Sequence, residues 1–204
     1  MKMLKLPAIL MLICTLSWSS VSAQEENYSQ GKLAYEKGDF VINAGISFGL
    51  IGYGYGYYGS RSFSVPLTAT VDYGATDEFS FGGFIGYYGT SYGPKGNRYG
   101  FRNFSFGAQG TFHATAIMNE AFDMDIDEKK VDYYVRLMLG YETFSWTYNG
   151  KSYSDFYYDN QTSGRLVFAP VLGVRYMFNP NLGVYVEGGR GTYGYLTLGL
   201  SVKF

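Results

Sequence analysis

Hydrophobic and polar residues alternate with a period of two along most of the chain after residue 38. The stretch FVINAGISFGL (40–50) has apolar side chains at its even positions and mostly small or polar ones at its odd positions. The stretch LTLGLSVKF (196–204) repeats this pattern, and its last residue is Phe204. A period of two is typical of a β-strand with one apolar and one polar face, whereas a helix repeats about every 3.6 residues.

Six further segments alternate in the same way, which makes eight predicted strands. These segments are PLTATVDY (66–73), FSFGGFIGYY (79–88), FSFGAQGTFHA (104–114), YYVRLMLGYE (133–142), RLVFAPVLGVRYMF (165–178) and GVYVEGG (183–189). An even number of strands favours an all-β, antiparallel up-and-down sheet that closes into a barrel. We expect Pro170 to mark a bulge in the sixth strand, because proline cannot donate a ladder hydrogen bond.

The connections between the predicted strands are long at one end of the barrel and short at the other. Long connections are predicted at 52–62, 90–101 and 147–163, and tight turns at 74–78 and 179–181. This asymmetry is typical of transmembrane barrels. Two connections depart from it, because 115–130 is long for the short end and 191–192 is short for the long end.

The first 23 residues have the features of a secretory signal peptide. Two lysines precede an apolar run, and small residues before Ala23 predict cleavage that leaves Gln24 as the mature N-terminus. The apolar run is shorter than the roughly 20 residues that a membrane-spanning helix needs. Its Cys14 is the only cysteine, so we expect no disulfide in the mature chain. We divide the chain into a signal peptide (1–23), a short polar segment (24–37) and a transmembrane β-barrel (38–204).

The composition of the two strand faces favours a membrane barrel over a soluble one. The apolar faces carry no charge, and aromatic residues near the strand ends fit the girdles of a membrane barrel. The opposite faces are mostly Gly, Ser, Thr, Asn and Gln, which suit a narrow lumen. A net charge of −1 gives no reason to expect a nucleic-acid partner. We predict a polar network in the lumen made of seven charged residues: Asp72, Arg136, Glu142, Arg165, Arg175, Glu187 and Lys203.

Three stretches resemble known outer-membrane barrels. The alternation that ends at Phe204 resembles the C-terminal signal that the barrel-assembly machinery reads. YGATDEFSFGG (73–83) is similar to a turn-and-strand motif of the porin family, and residues 173–204 resemble the last two hairpins of that family. The resemblance covers about residues 38–204, and the architecture is similar to the small OmpA-like and OmpX-like barrels. It implies the outer membrane of a Gram-negative-type cell, with outer-membrane lipid and the assembly machinery as partners and Phe204 as part of the assembly signal.

Three candidate chemical motifs lack the context that their chemistry requires. A G-x-G-x-x-G match at 54–59 is not followed by a helix, and DMDIDE (123–128) lacks the Gly and Glu positions of a calcium loop. The only histidine, His113, has Thr115 and Glu120 nearby, but it falls at the end of the barrel away from the outer leaflet. We expect His113 to be a hydrogen-bonding residue of the lumen. The sequence thus predicts no enzyme, no metal site and no cofactor.

Three classes of function remain, because a barrel fold does not determine its activity. The first is an envelope-structural or surface-binding role, in which long loops rich in Tyr and Gly contact a surface ligand. Tyrosine offers a large contact area at low entropic cost, and the loop residues in question are Tyr53, Tyr55, Tyr57, Tyr58, Arg61, Tyr148, Tyr157 and Tyr158. The second class is a narrow porin-like channel, and the third is an outer-membrane lipid-modifying enzyme. We favour the first, because eight strands leave little free lumen.

Overall fold

The strands form a single antiparallel sheet that closes on itself. The computed structural model describes residues 33–50, 61–63, 65–92, 97–150, 162–189 and 194–204. The strands are β1 (Phe40–Leu50), β2 in two segments (Arg61–Phe63 and Leu67–Gly74), β3 (Phe79–Tyr92), β4 (Asn97–His113), β5 (Val131–Gly150), β6 (Thr162–Asn179), β7 (Leu182–Gly189) and β8 (Gly194–Lys203). Both segments of β2 pair with β3, so they are two parts of one strand. The predicted eight-stranded up-and-down barrel is confirmed.

Pairing between the first and last strands closes the barrel. β1 pairs with β8 from Val41 opposite Lys203 to Leu50 opposite Gly194. Two further backbone bonds extend this ladder, because Phe204 N–H donates to Phe40 O at 2.9 Å and Phe40 N–H donates to Phe204 O at 3.3 Å. Among the described residues, each of the eight strands therefore has a hydrogen-bonded neighbour on both sides along at least part of its length.

The two faces of the barrel follow the alternation of the sequence. Side chains that point inward are mostly polar and buried, whereas most large apolar side chains point outward and are exposed. Such a continuous apolar exterior has the composition of a surface that lipid covers. Its most exposed members include Phe81, Ile85, Leu137, Leu139, Leu166, Phe168, Leu172 and Leu200.

One end of the barrel, which we call the inner mouth, contains Phe40, Phe204 and three connections. Two of these are the predicted tight turns between β2 and β3 and between β6 and β7. The third includes helix α1 (Thr115–Phe122), which accounts for the unusual length of the segment 115–130. In the part of the chain that the structure describes, no helix is both long enough and apolar enough to cross a membrane. The opposite end is called the outer mouth.

The strands extend further toward the outer mouth than their hydrophobic pattern predicts. β3 pairs with β4 as far as Tyr92 opposite Tyr99, and β4 pairs with β5 as far as Asn97 opposite Gly150. The predicted loop bounds of 90–101 and 147–163 are therefore wrong. Cross-strand contacts such as the aromatic pair Phe101–Trp146, with ring centroids 4.5 Å apart, accompany the extended ladder after the apolar alternation has ended.

The corrected strands also change the assignment of two predicted loop residues. Tyr148 lies within β5, and Arg61 begins β2. The predicted signal peptide (1–23) lies outside the described residues, as does most of the segment 24–37. The same is true of six predicted loop tyrosines: Tyr53, Tyr55, Tyr57, Tyr58, Tyr157 and Tyr158.

Pro170 does not produce the expected bulge. Pairing of β5 with β6 continues without a register shift through Pro170, which lies opposite Leu137. On the other side of β6, the described ladder with β7 ends at Val171 opposite Gly189, one residue after the proline. The missing N–H of Pro170 therefore lies beyond the last described pair of that ladder. A register shift occurs instead beside Met177, at the turn into β7.

Candidate functional site

The interior of the barrel is filled by side chains rather than open. Every second residue of β5 points inward, and together these residues mark successive levels of the lumen. From the inner mouth outward they are Asp132, Tyr134, Arg136, Met138, Gly140, Glu142, Phe144 and Trp146.

Arg136 is the centre of an ion-pair cluster in the middle of the lumen. Its Nη2 lies 3.0 Å from Asp72 Oδ2, and its Nη1 contacts Glu187. Its Nε donates to Thr111 Oγ1 at 3.1 Å. The guanidinium therefore joins side chains of β2, β4 and β7 across the barrel, and it is fully buried.

Neutral donors hold the same two carboxylates. The Tyr134 hydroxyl donates to Glu187 at 2.9 Å, and the Gln109 amide donates to Asp72 at 2.7 Å. Burial of charged groups is costly unless each one is paired and hydrogen-bonded. The cluster meets that condition by combining one guanidinium with additional donors from the wall.

An apolar layer packs inside the lumen on the outer side of Arg136. Its four buried members, with Val167 packed against them, are Phe84, Met138, Ala169 and Val171. Phe84 fits because the cross-strand pair Gly107 and Gly140 has no side chains at that level. A Cβ atom on either glycine would lie 2.7 Å from the Phe84 ring. The small residues of the inward face thus make room for large ones in this layer.

A second polar cluster lies toward the inner mouth. His113 Nδ1 lies 2.9 Å from Asp132 Oδ1, and His113 Nε2 lies 3.0 Å from Ser80 Oγ. Asp132 also accepts a hydrogen bond from Arg175 Nη1 at 3.0 Å. The ring of Tyr35 stacks on the imidazole, with centroids 3.3 Å apart and planes 6° apart. His113 is therefore a buried hydrogen-bonding residue of the lumen, as its place in the sequence predicted.

Ser80, His113 and Asp132 follow the order of a hydrolase triad, but Ser80 and the imidazole are covered by other residues of the described structure. A nucleophile must be reached by substrate, and an oxyanion needs free donors beside it. Ser80 is only 3 % exposed, and Tyr35 covers the imidazole. Ser80 also pairs with a neighbouring strand on each side, so its backbone belongs to the ladder. The arrangement holds three strands together at the inner mouth.

The segment Leu33–Asp39, which we call the strap, lies across the inner mouth. Lys203 Nζ lies 2.9 Å from Asp39 Oδ2 and donates to Leu33 O at 2.6 Å. Both ends of the strap are thereby attached to Lys203, the last residue of β8. Lys203 is buried, so its charge is compensated by the strap rather than by water.

Further contacts attach the strap to the far side of the inner mouth. The Tyr35 hydroxyl donates to Thr76 O at 2.7 Å, and Ala34 N–H donates to Glu128 O at 2.7 Å. Burial, followed by the nearby carboxylate of Asp132, raises the pKa of Tyr35 above its ordinary value. A cavity of about 60 Å³ remains beside the strap, which is room for a few water molecules only.

Toward the outer mouth, a third cluster combines charge with aromatic rings. Glu142 is fully buried, accepts a hydrogen bond from Arg165 Nε at 2.7 Å, and contacts the side-chain amide of Asn103. The Arg165 guanidinium lies over the Phe144 ring, 5.1 Å from its centroid. The Arg165 side chain is 47 % exposed, unlike the central Arg136.

The predicted seven-residue network is therefore divided into separate clusters. Only Asp72, Arg136 and Glu187 meet at one point, whereas Glu142 pairs with Arg165. Arg175 and Lys203 pair with two carboxylates that sequence reasoning missed, which are Asp132 and Asp39. Each missed residue lies two positions before the first inward residue of its predicted strand, so it continues the inward alternation toward the inner mouth. Extending the alternation by one inward position would have identified both residues.

Three solved structures are similar to this chain over more than four fifths of its length. The N-terminal β-barrel domain of Pseudomonas aeruginosa OprF is 12% identical, with a TM-score of 0.48 over 83% of this chain and 100% of that one. Ail of Yersinia pestis, in complex with the heparin analogue sucrose octasulfate, is 13% identical, with a TM-score of 0.49 over 82% and 99%. Neisserial surface protein A is 16% identical, with a TM-score of 0.48 over 83% and 99%.

The likeness concerns the fold alone. No family model matches the chain, and no curated protein matches it. The chain is a closed, antiparallel, eight-stranded up-and-down β-barrel by architecture. That assignment depends on its own closed ladder, apolar exterior and polar interior.

Proposed function

We propose that the protein is an integral outer-membrane barrel that acts as a closed anchor and presents the segments at its outer mouth to the cell surface. The observation that carries this proposal is the filled lumen. The buried Arg136 cluster and the apolar layer around Phe84 occupy two successive levels. A solute would have to displace both levels to pass, so the arrangement favours an anchor over a narrow channel.

In this role the outer mouth would contact a surface ligand, and the barrel wall would contact the surrounding envelope. The connections 51–60 and 151–161 are the longest at that end, and their sequences are rich in Tyr. Tyrosine-rich segments suit contact with a surface ligand. Outer-membrane lipid would contact the apolar exterior, and the assembly machinery would insert the barrel. A non-catalytic role is part of the proposal and is supported by the covered position of Ser80.

Location is tested by cell fractionation and gel mobility. The protein is expected in outer membranes, where a closed barrel migrates faster on an SDS gel before boiling than after boiling. Recovery in the soluble periplasmic fraction alone would contradict the proposal.

Closure of the lumen is tested in planar lipid bilayers. The purified barrel is expected to give no sustained conductance steps. The matched variants Glu187→Gln and Glu120→Gln remove a carboxylate in the lumen and on the exposed face of α1, respectively. Steady channels whose ion selectivity changes with Glu187→Gln but not with Glu120→Gln would establish the narrow channel instead.

The loop role is tested by replacing 51–60 or 151–161 with a tight turn while the strands are left intact. Intact cells are then compared for adherence, surface-ligand binding and envelope permeability. Loss of one of these properties is expected in at least one folded variant. If both variants fold and behave like wild type throughout, a purely structural role is the remaining account.

A further inference from the structure

One large aromatic ring at the outer mouth is exposed on the inward side of the wall. Trp146 continues the inward alternation of β5, two positions beyond Phe144. Its indole contacts the buried Phe101 ring, and yet 49 % of Trp146 is exposed. Lipid covers the outward face of a barrel, so lipid contact does not account for this exposure.

Other aromatic rings inside the barrel pack against one another and, through Phe101, against the indole of Trp146. Phe101 packs against Phe144 with ring centroids 6.1 Å apart, and against Tyr88 with centroids 6.2 Å apart. We call Tyr88, Phe101, Phe144 and Trp146 the aromatic shelf. Three of its rings are buried or half-buried, so Trp146 is the part of the shelf that a ligand can reach.

Arg165 lies beside this shelf with part of its hydrogen-bonding capacity unused. Its Nε is held by Glu142 and its guanidinium lies over the Phe144 ring. Among the residues that the structure describes, none accepts a hydrogen bond from its two terminal nitrogens. These donors are therefore fixed in direction by two contacts and available at the outer mouth.

We propose that Trp146 and Arg165 form a binding site for a neutral sugar of a surface carbohydrate. A pyranose ring has an apolar C–H face that stacks on an indole and hydroxyl groups that accept hydrogen bonds from a guanidinium. Glu142 balances the charge of Arg165, so this pair does not favour a strongly anionic ligand. The inference rests on the proposed function, because it requires the outer mouth to face the cell surface.

The spacing of the site suits a disaccharide. The Arg165 guanidinium lies over the Phe144 ring, and Phe144 is two residues before Trp146 on the same strand. Two residues of a β-strand span about 7 Å. A disaccharide is therefore long enough to contact the indole and the guanidinium together.

The chain supplies its own reporter for this site. Of its two tryptophans, Trp18 lies in the predicted signal peptide, so the chain that begins at Gln24 contains Trp146 alone. The barrel is refolded in phosphocholine vesicles or an amine-oxide detergent, because glycoside detergents would compete for the site. Lactose, N,N′-diacetylchitobiose and 3′-sialyllactose are then titrated while the emission of Trp146 is recorded.

A saturable change in emission is expected with a neutral disaccharide, and a weaker response with the anionic 3′-sialyllactose. Arg165→Lys keeps the charge beside Glu142 but loses the planar pair of terminal donors, and it is expected to weaken binding up to about tenfold. Arg102→Met is the matched control, because Arg102 is exposed on the outward-facing side of the same wall and should leave binding unchanged. Trp146→Leu should abolish binding as measured by saturation-transfer NMR.

The inference is overturned if none of the three sugars gives a saturable change, or if Arg165→Lys and Arg102→Met bind alike. A saturable response to a tyrosine-rich peptide but to no sugar would also overturn it. If the barrel fractionates with outer membranes and does not conduct, but binds none of the sugars, only this inference fails and the proposed function stands. Steady conductance would instead contradict the closed-anchor function. The sugar titration would then still decide whether Trp146 and Arg165 bind a sugar.

Discussion

Removal of Arg136 is expected to be among the most costly single substitutions in the lumen. Arg136→Ala leaves Asp72 and Glu187 buried without the guanidinium that compensates them. Breaking a buried ion pair by removing one partner typically costs about 3–5 kcal/mol. Tyr134 and Gln109 still donate to the two carboxylates, so we expect a loss of about 3–4 kcal/mol rather than the sum of two broken pairs.

A second substitution is expected to restore part of the stability that Arg136→Ala loses. Glu187→Gln in the Arg136→Ala background removes one of the two uncompensated charges and retains an acceptor for the Tyr134 hydroxyl. The double variant should therefore be more stable than Arg136→Ala by about 1 kcal/mol or more. Glu187→Gln alone should destabilise the protein, because it removes a counter-charge from Arg136.

The assay is urea unfolding of the barrel in phosphocholine vesicles, followed by Trp146 emission and by gel mobility. Both unfolding and refolding branches are recorded, and the free energy of unfolding is taken where they coincide. A loss below about 1 kcal/mol for Arg136→Ala would refute the reasoning, because it would mean that the buried carboxylates need no counter-charge. A double variant less stable than Arg136→Ala would refute it as well.

Deletion of Phe204 removes two backbone hydrogen bonds at the barrel closure, so it is expected to lower the folded fraction of the protein in outer membranes while export is unchanged. The folded fraction is measured by heat-dependent gel mobility. Equal abundance of the folded protein would contradict an assembly role for Phe204. A methyl group at Gly140 would meet the main-chain oxygen of Phe106 as well as the Phe84 ring, so Gly140→Ala should cost about 3 kcal/mol or more in the same urea assay. Gly110→Ala should be nearly neutral, because no atom lies within 4 Å of its Cβ position. Tyr35→Ala removes the ring that stacks on His113 beside Ser80, so position 80 should become more accessible from the inner mouth. A cysteine introduced by Ser80→Cys should therefore react faster with a water-soluble maleimide when Tyr35 is replaced than when it is present. Equal reaction rates would show that the strap does not close this end.

The sequence by itself determined the strands and the direction of most side chains. The pleat of a β-strand sends successive residues to opposite faces, so the alternation at Arg136 and Leu137 already separates lumen from exterior. The same rule placed His113 inside the barrel. Strand ends near the outer mouth were misjudged, because the apolar alternation stops at Tyr141 although the ladder of β5 continues to Gly150.

Only the tertiary structure decided which inward residues meet. Arg136 contacts Asp72 and Glu187, which are 64 and 51 residues away in the chain. The alternation assigns each of them to the lumen but says nothing of its level, because the level depends on the stagger of the strands around the closed barrel. For the same reason the Tyr35 stack on His113 and the exposed Trp146 beside Arg165 became visible only after the barrel was closed.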